Sequence, residues 1–181
     1  MSRSSAPIRT LPAGIITHTI AAIRGAQDGD ITVHHARTPL VRMVLTWGGI
    51  MMTLSTADAA QGLLEAFAAA RAKAAWIPPE IPAARTELNG PFAKPVVAID
   101  WTGRPSYAVV PQSAPSKCGA NTVRWVDLHT GPITWQIRDH KGLHSALELL
   151  TRAHRTAIAV CTDGEQFSAD PTADDYPAVA S

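Results

Sequence analysis

The chain alternates between short apolar runs and turn residues, a pattern typical of strands joined by hairpins. Apolar and β-branched residues cover 31–36, 41–46 and 50–55. The turn signals are Asp28-Gly29-Asp30 before the first run and Trp47-Gly48-Gly49-Ile50 between the last two. The segment 14–23 is apolar without a clean period and is also predicted to be a strand.

A helix is predicted to follow these strands, because apolar residues then recur at helical spacing. Ser55 and Thr56 are available as N-caps, and Asp58 lies in the first turn. The apolar stripe consists of Ala60, Leu63, Leu64, Phe67 and Ala70. The helix is expected to end near Ala75.

The second part of the chain repeats this order of elements. Segments 96–101 and 106–110 are predicted to form a hairpin, and a polar loop follows at 112–121. Segments 122–128 and 133–138 predict a further hairpin, 140–155 a helix and 158–161 a short closing strand. The apolar stripe of this helix is Leu143, Ala146, Leu147, Leu150 and Ala153.

Between the two parts lies a proline-rich stretch that predicts an extended connector. Five prolines, Pro78, Pro79, Pro82, Pro91 and Pro95, occur within it. The predicted organisation is an N-terminal β/α half at 1–76, a connector at 77–95, a C-terminal β/α half at 96–162 and an acidic, flexible tail at 163–181.

The two halves align with each other, which predicts an internal duplication. Val41, Arg42, Val44 and Gly49 fall on Val123, Arg124, Val126 and Gly131, and the two helix stripes also coincide once one residue is removed from the second hairpin. The expected fold is therefore α+β: two related hairpin–helix halves, with an antiparallel sheet packed against two helices.

Composition narrows the class of protein. Apolar residues make up 46% and charged residues 17% of the 181 residues, as in a soluble globular protein. No apolar run is long enough for a membrane span or a signal peptide, so a cytoplasmic location is expected. Cys118 and Cys161 are expected to be free thiols, and no cofactor is predicted. Arginine outnumbers lysine twelve to four, a bias typical of proteins from GC-rich actinobacteria or their phages and plasmids.

Charge is distributed unevenly along the chain and suggests an anionic partner. The residues after Arg155 carry five carboxylates and no lysine or arginine, which leaves a basic body. Arg138, His140 and Lys141 cluster where the second helix begins, although the helix dipole disfavours cations there. Such a cluster, together with the first amide groups of the helix, is a candidate anion site. Alternatively, Asp139 caps the helix and the basic side chains point into water.

Arginine and tryptophan on predicted strands give a second candidate surface. Arg42 and Arg124 align between the halves, and Trp125 lies beside the latter. Sheet faces with such side chains can stack bases and bind phosphates, so DNA or RNA is an alternative partner.

Metal chemistry is a weaker alternative, considered in two forms. His140 and His144 have the spacing of zinc ligands on a helix, with Asp127, His129 or Cys118 as conceivable further ligands. Separately, Asp100 and Asp163 each follow an apolar segment, and the order hairpin, strand, helix, strand and aspartate resembles the ribonuclease H and retroviral integrase superfamily over 95–167. That resemblance implies a two-metal nuclease with a truncated core.

No complete catalytic set emerges from the motifs, so the sequence favours a non-catalytic binding or assembly protein. Its predicted partner is a protein that meets a sheet edge or the proline-rich connector, or a second copy of the chain. A nucleic-acid-binding accessory protein is the first alternative, and the divalent-metal nuclease is the second.

Overall fold

The computed structural model describes residues 18–81, 97–119 and 121–176. It is a mixed α+β fold with two four-stranded sheets and two α-helices. In chain order the elements are β1 Thr19–Ile23, β2 Gly29–His34, β3 Arg42–Trp47, β4 Ile50–Leu54, α1 Ala57–Ala70, a 3₁₀ helix Arg71–Trp76, β5 Val97–Trp101, β6 Tyr107–Pro115, β7 Thr122–Thr130, β8 Ile133–Ile137 and α2 His140–Val160. The connector beyond Ile81 lies outside the described residues.

The two sheets share one plan. Sheet I has the order β2-β3-β4-β5, and sheet II has the order β6-β7-β8-β1. In each, three consecutive strands form an antiparallel meander, and the fourth strand runs parallel to the third. The prediction of a single antiparallel sheet is therefore wrong. The described residues form two sheets, and each contains both parallel and antiparallel strand pairs.

The fourth strand of each sheet comes from the other part of the chain. Strand β5 pairs with β4, so that Val97 lies opposite Ile50, and β1 pairs with β8, so that Thr19 lies opposite Ile133. This exchange overturns the predicted hairpin of 96–101 with 106–110, because β5 belongs to sheet I and β6 to sheet II. The parts predicted to be separate halves therefore share their sheets.

The other two predicted hairpins, 41–46 with 50–55 and 122–128 with 133–138, are formed. Gly48 and Gly131 occupy matching places after β3 and β7, with φ of 57° and 58°. That left-handed conformation is accessible to glycine at little cost. At both turns it lets the chain reverse its direction within two residues.

Helix α1 begins at the predicted cap and is buried on nearly every side. The side chain of Thr56 accepts a hydrogen bond from the amide of Ala59. The whole predicted stripe is buried, but so are Gln61 and Glu65 on other sides of the helix. An aromatic group joins α1 to both sheets: Trp47 of β3 stacks on Trp135 of β8 with ring centroids 5.2 Å apart, and Phe67 contacts both rings.

Helix α2 is longer than predicted, and the short closing strand at 158–161 does not form. The β-branched residues there suggest a strand, but the helix continues to Val160. Arg37 holds its last turn: its backbone amide donates to the carbonyl of Val160 (2.7 Å) and its Nε donates to the carbonyl of Ala159 (3.3 Å). Ala157 in this last stretch is fully buried. Satisfied end carbonyls and burial outweigh the weak local preference for a strand.

The acidic segment predicted as a flexible tail is packed along α1 as far as Tyr176. Asp163 accepts hydrogen bonds from the amides of Ala57 and Asp58, which begin α1 (2.9 and 3.2 Å). Gln61 donates to the carbonyls of Phe167 and Ala169. Negative charge at a helix N-terminus is favourable, so Asp163 has a structural reason to bind there. Within the described residues, no helix is long and apolar enough to cross a membrane.

Candidate functional site

Another segment of the chain occupies the backbone amides at the start of α2, where the basic cluster is predicted. The amides of His140 and Lys141 donate to the carbonyls of Pro78 and Pro79 (3.0 and 3.2 Å). The side chain of Lys141 pairs with Glu80 (2.8 Å). The first amides of α2 are thus already bound by carbonyl groups of the chain itself.

Asp139 binds the remaining amides at this end of α2 and joins three segments. It is fully buried, and its carboxylate accepts hydrogen bonds from the amide of Gly142 (2.7 Å), the amide of Gly25 (3.0 and 3.1 Å) and the amide of Ile81 (2.9 Å). The alternative role considered for Asp139, a helix cap, is therefore what the geometry shows. Its long-range contacts had no signal in the sequence.

No single surface carries all three arginines of the predicted site, Arg42, Arg124 and Arg138. Arg42 is exposed on the outer face of sheet I, because its neighbour Met43 points into the core. Arg124 lies on the opposite, core-facing side of its strand and stacks on Trp76, 4.7 Å from the ring centroid. Arg138 stacks on Trp125 at 5.2 Å. Arg138 and Trp125 are the only predicted pair that the described residues bring together.

The sequence alignment of Arg42 with Arg124 was one position out of register. The matching helix caps are Thr56 and Asp139, and the matching turn glycines are Gly48 and Gly131. Counting the same number of residues toward the N-terminus from the two caps, or from the two glycines, matches Arg42 with Trp125. Because strand side chains alternate in direction, a slip of one residue exchanges the two faces.

Neither metal hypothesis is supported by a ligand cluster. Within the described residues, no group of three or more His, Cys, Asp or Glu is placed to hold a metal ion. Asp100 is exposed on β5, whereas Asp163 is bound by the first amides of α1. His144 is exposed and lies near Glu148, with Nδ1 3.6 Å from a carboxylate oxygen.

A network around Arg104, which the sequence analysis missed, joins α1 to the crossing between the sheets. The guanidinium of Arg104 donates to Asp58 (3.0 Å), Gln61 and Glu65. Glu65 is 5% exposed and also accepts hydrogen bonds from the hydroxyls of Tyr107 and Tyr176 (3.2 and 3.1 Å). Burial is the first cause that raises the pKa of both tyrosines, and the Glu65 carboxylate adds to it. These phenols therefore remain protonated donors at neutral pH.

Gly62 explains how the Arg104 side chain reaches α1. A glycine inside a helix costs about 1 kcal/mol relative to alanine. At this position, however, a Cβ atom would lie 2.5 Å from Cγ of Arg104. A glycine inside the predicted helix is the one feature of the sequence that could have indicated this network.

The two cysteines differ in reactivity because of burial. Cys118 is exposed, whereas Cys161 is 7% exposed. Burial, with a contribution from the charge of Asp163, raises the pKa of Cys161 to about 11. At pH 8 only about one Cys161 in a thousand is a thiolate, the reactive form.

We therefore expect iodoacetamide at pH 8 to label the native protein once, at Cys118, and the guanidinium-unfolded protein twice. Intact-mass spectrometry measures this directly. The variant Cys118→Ser should take no label while folded. Labelling of Cys161 in that variant as fast as an unfolded thiol would contradict the burial of this residue.

The four sheet edges differ in how they are protected against pairing with other strands. Strand β6 carries Pro111 and Pro115, β5 carries Asp100 and β2 carries Asp30. Proline and charge are the usual means by which edge strands avoid unwanted pairing. Strand β1, with the sequence Thr-Ile-Ala-Ala-Ile, has neither.

Within the described residues, the backbone of β1 has hydrogen-bonding groups without a partner at its outer edge. The amide of Thr19 and the carbonyl of Ile23 bond toward β8, to Pro132 and Arg138 (2.8 and 2.9 Å). Successive residues of a strand direct these groups to opposite edges, so those of Ile20 and Ala22 face away from β8. The side chain of Ile20 is 59% exposed.

A groove of about 270 Å³ lies along this edge. Its lining combines all of β1 with the β3–β4 turn and the first residue of β5. The larger apolar side chains are Ile20, Ile23, Trp47, Ile50, Val97 and Trp135. The β1 edge and this groove form the candidate functional site.

Comparisons of the chain with protein-family models, with curated proteins and with solved structures gave no match.

Proposed function

We propose that this chain is a non-catalytic assembly protein that acts through protein–protein contacts, and that two copies join by antiparallel pairing of their β1 strands. The observation that carries this proposal is the β1 edge, which has open backbone groups, an exposed apolar side chain and no charge or proline. Pairing would extend two four-stranded sheets into one of eight strands.

The β1 sequence suits pairing with itself. With Ala21 on a two-fold axis, Ile20 of one copy lies opposite Ala22 of the other. These are the residues whose amides and carbonyls face the open edge, so each pair forms two hydrogen bonds. A large side chain then lies beside a small one, and the two central alanines leave room for close approach.

The expected affinity is modest. Four neutral hydrogen bonds contribute about 0.5–1.5 kcal/mol each, and burying Ile20 contributes up to about 2 kcal/mol in each copy. The loss of translational and rotational freedom opposes both. Even at the favourable end of these ranges the net free energy is only about 6 kcal/mol, so we expect a weak dimer with a dissociation constant no lower than tens of micromolar.

Replacing Ile20 by lysine is expected to abolish this dimer, because a charge would then be held at the paired edge. The matched control is Val110→Lys on β6, which is also exposed on sheet II (37%) but lies at its other edge. Sedimentation velocity over a range of concentrations measures the association, and thermal unfolding checks that both variants fold. A wild-type chain that stays monomeric, or equal losses in both variants, would overturn the proposal.

We also propose that the two halves descend from an internal duplication in which the first strands were exchanged. Its support is the repeated order of strands and helix, together with matched bonds at each parallel pair: Val97 donates to the carbonyl of Gly49 (2.9 Å) and Thr19 to that of Pro132 (2.8 Å). A cytoplasmic location remains a prediction from the sequence.

A further inference from the structure

A second groove, separate from the one beside β1, is lined by three arginines that the sequence analysis did not single out. Arg152 and Arg155 lie on α2, and Arg71 lies where α1 passes into the 3₁₀ helix. Together with His144, Leu147 and Thr172 they line an open groove of about 680 Å³. Residues three apart in a helix share a face, so Arg152 and Arg155 point to the same side.

Two of the three guanidinium groups are held in place by hydrogen bonds that do not neutralise them. Arg71 donates to the carbonyl of Thr172 (3.1 Å), and Arg152 donates to the carbonyl of Gly29 (2.7 Å). Both acceptors are uncharged backbone groups. Within the described part of the chain, none of the three arginines lies within 4.0 Å of a carboxylate oxygen.

Two carboxylates near the groove reduce its charge but do not cancel it. Glu148 is on the wall beside His144. Asp170 is bound mainly by Thr172, whose hydroxyl and amide donate to it (2.7 and 2.8 Å), and Arg155 and His154 lie close enough to help lower its pKa. Asp174 lies in the adjoining pocket, which Arg71 and Thr172 also line. In the lining of the groove itself, Glu148 is the one carboxylate among the described residues, so the three arginines leave this lining positive.

We infer that this groove binds the phosphate backbone of a nucleic acid. Guanidinium groups match the geometry of phosphate oxygens and remain charged at every physiological pH. A protein partner would need apolar or aromatic anchors, and Leu147 is the one large apolar side chain in the lining. Among the described residues the lining contains no Phe, Tyr or Trp to stack a base, so we expect binding that does not depend on sequence.

This site differs from the one predicted from the sequence. Arg42, Arg124 and Arg138 are spread over separate surfaces, and two of them stack on tryptophans of the chain itself. Arg71 lines the same groove as Arg152 and Arg155 although it lies far from them in sequence. The inference is independent of the β1 edge, because the two sites share no residue.

The experiment compares two triple variants with equal loss of charge. One replaces Arg71, Arg152 and Arg155 by glutamine, and the other replaces Arg42, Arg124 and Arg138 by glutamine. Fluorescence anisotropy with a labelled single-stranded oligonucleotide, titrated at several salt concentrations, gives the affinity and its salt dependence. Circular dichroism and thermal unfolding establish that each variant is folded.

For the wild type we expect a non-specific dissociation constant of about 10⁻⁴–10⁻⁶ M and a slope of log K against log salt near −2, since each phosphate contact contributes about 0.7 for a single strand. The groove variant should lose most of this slope and weaken at least tenfold, and the strand variant should keep both. Equal weakening in both variants, loss confined to the strand variant, or no binding by wild type at low salt would each overturn the inference. Poly-glutamate binding as tight as the oligonucleotide would also overturn it, because the groove would then be a site for acidic peptides.

Discussion

Replacing Asp139 by alanine should lower the free energy of unfolding by about 3–5 kcal/mol. Loss of the helix cap costs about 1 kcal/mol. The amides of Gly25 and Ile81 also donate to this carboxylate. Among the described residues, each of these amides would lose its acceptor. The Gly25 amide is buried, which makes the loss cost about 1–3 kcal/mol, and the partly buried Ile81 amide adds about 1 kcal/mol. Chemical denaturation measures the total.

The structurally matched control is Thr56→Ala, which removes the cap of α1. Thr56 accepts one hydrogen bond, from its own helix, so its loss should cost about 1 kcal/mol. Should Asp139→Ala fail to fold, Asp139→Asn keeps one side-chain oxygen and should lie between the two. If all three variants lost the same stability, Asp139 would be an ordinary cap and not a junction between segments.

Replacing Arg104 by methionine is expected to cost about 3 kcal/mol. The change leaves the carboxylate of Glu65, whose side chain is 6% exposed, without its cation. Removing one partner of a buried ion pair typically costs about 3–5 kcal/mol. The lower end applies, because the Arg104 side chain is 27% exposed and water already screens it.

Lys141→Met provides the comparison for an exposed pair. Lys141 and Glu80 are separated by 2.8 Å, but their side chains are 48% and 54% exposed. Their pair should contribute little to stability, because water and salt screen it. Adding Glu65→Gln to Arg104→Met should restore part of the lost stability, since no buried charge then remains. If Arg104→Met costs no more than Lys141→Met, the network contributes little to the fold.

The two proposed sites favour different kinds of partner. The β1 edge offers backbone groups and apolar surface, which favour another strand. The groove of Arg71, Arg152 and Arg155 offers charge, which favours phosphate. Because the two surfaces share no residue, Ile20→Lys should leave oligonucleotide binding by a single copy intact, and the groove variant should leave self-association intact.

The sequence by itself determined the elements whose signals are local. The turns at Gly48 and Gly131, the caps Thr56 and Asp139 and the stripe of α1 depend on contacts within a few residues. For the same reason the meander strands and the start of each helix fall close to their predicted positions. Propensity, capping and turn geometry act over this short range.

Only the tertiary structure decided how these elements combine. The pairing of β1 with β8, the end of α2 at Val160 and the convergence of three arginines in one groove depend on residues far apart in sequence. The residues of a strand do not specify which strand it pairs with, because any open sheet edge presents the same amides and carbonyls. Burial of the shared core decides which edge a strand pairs with and which edge stays open within the described part of the chain.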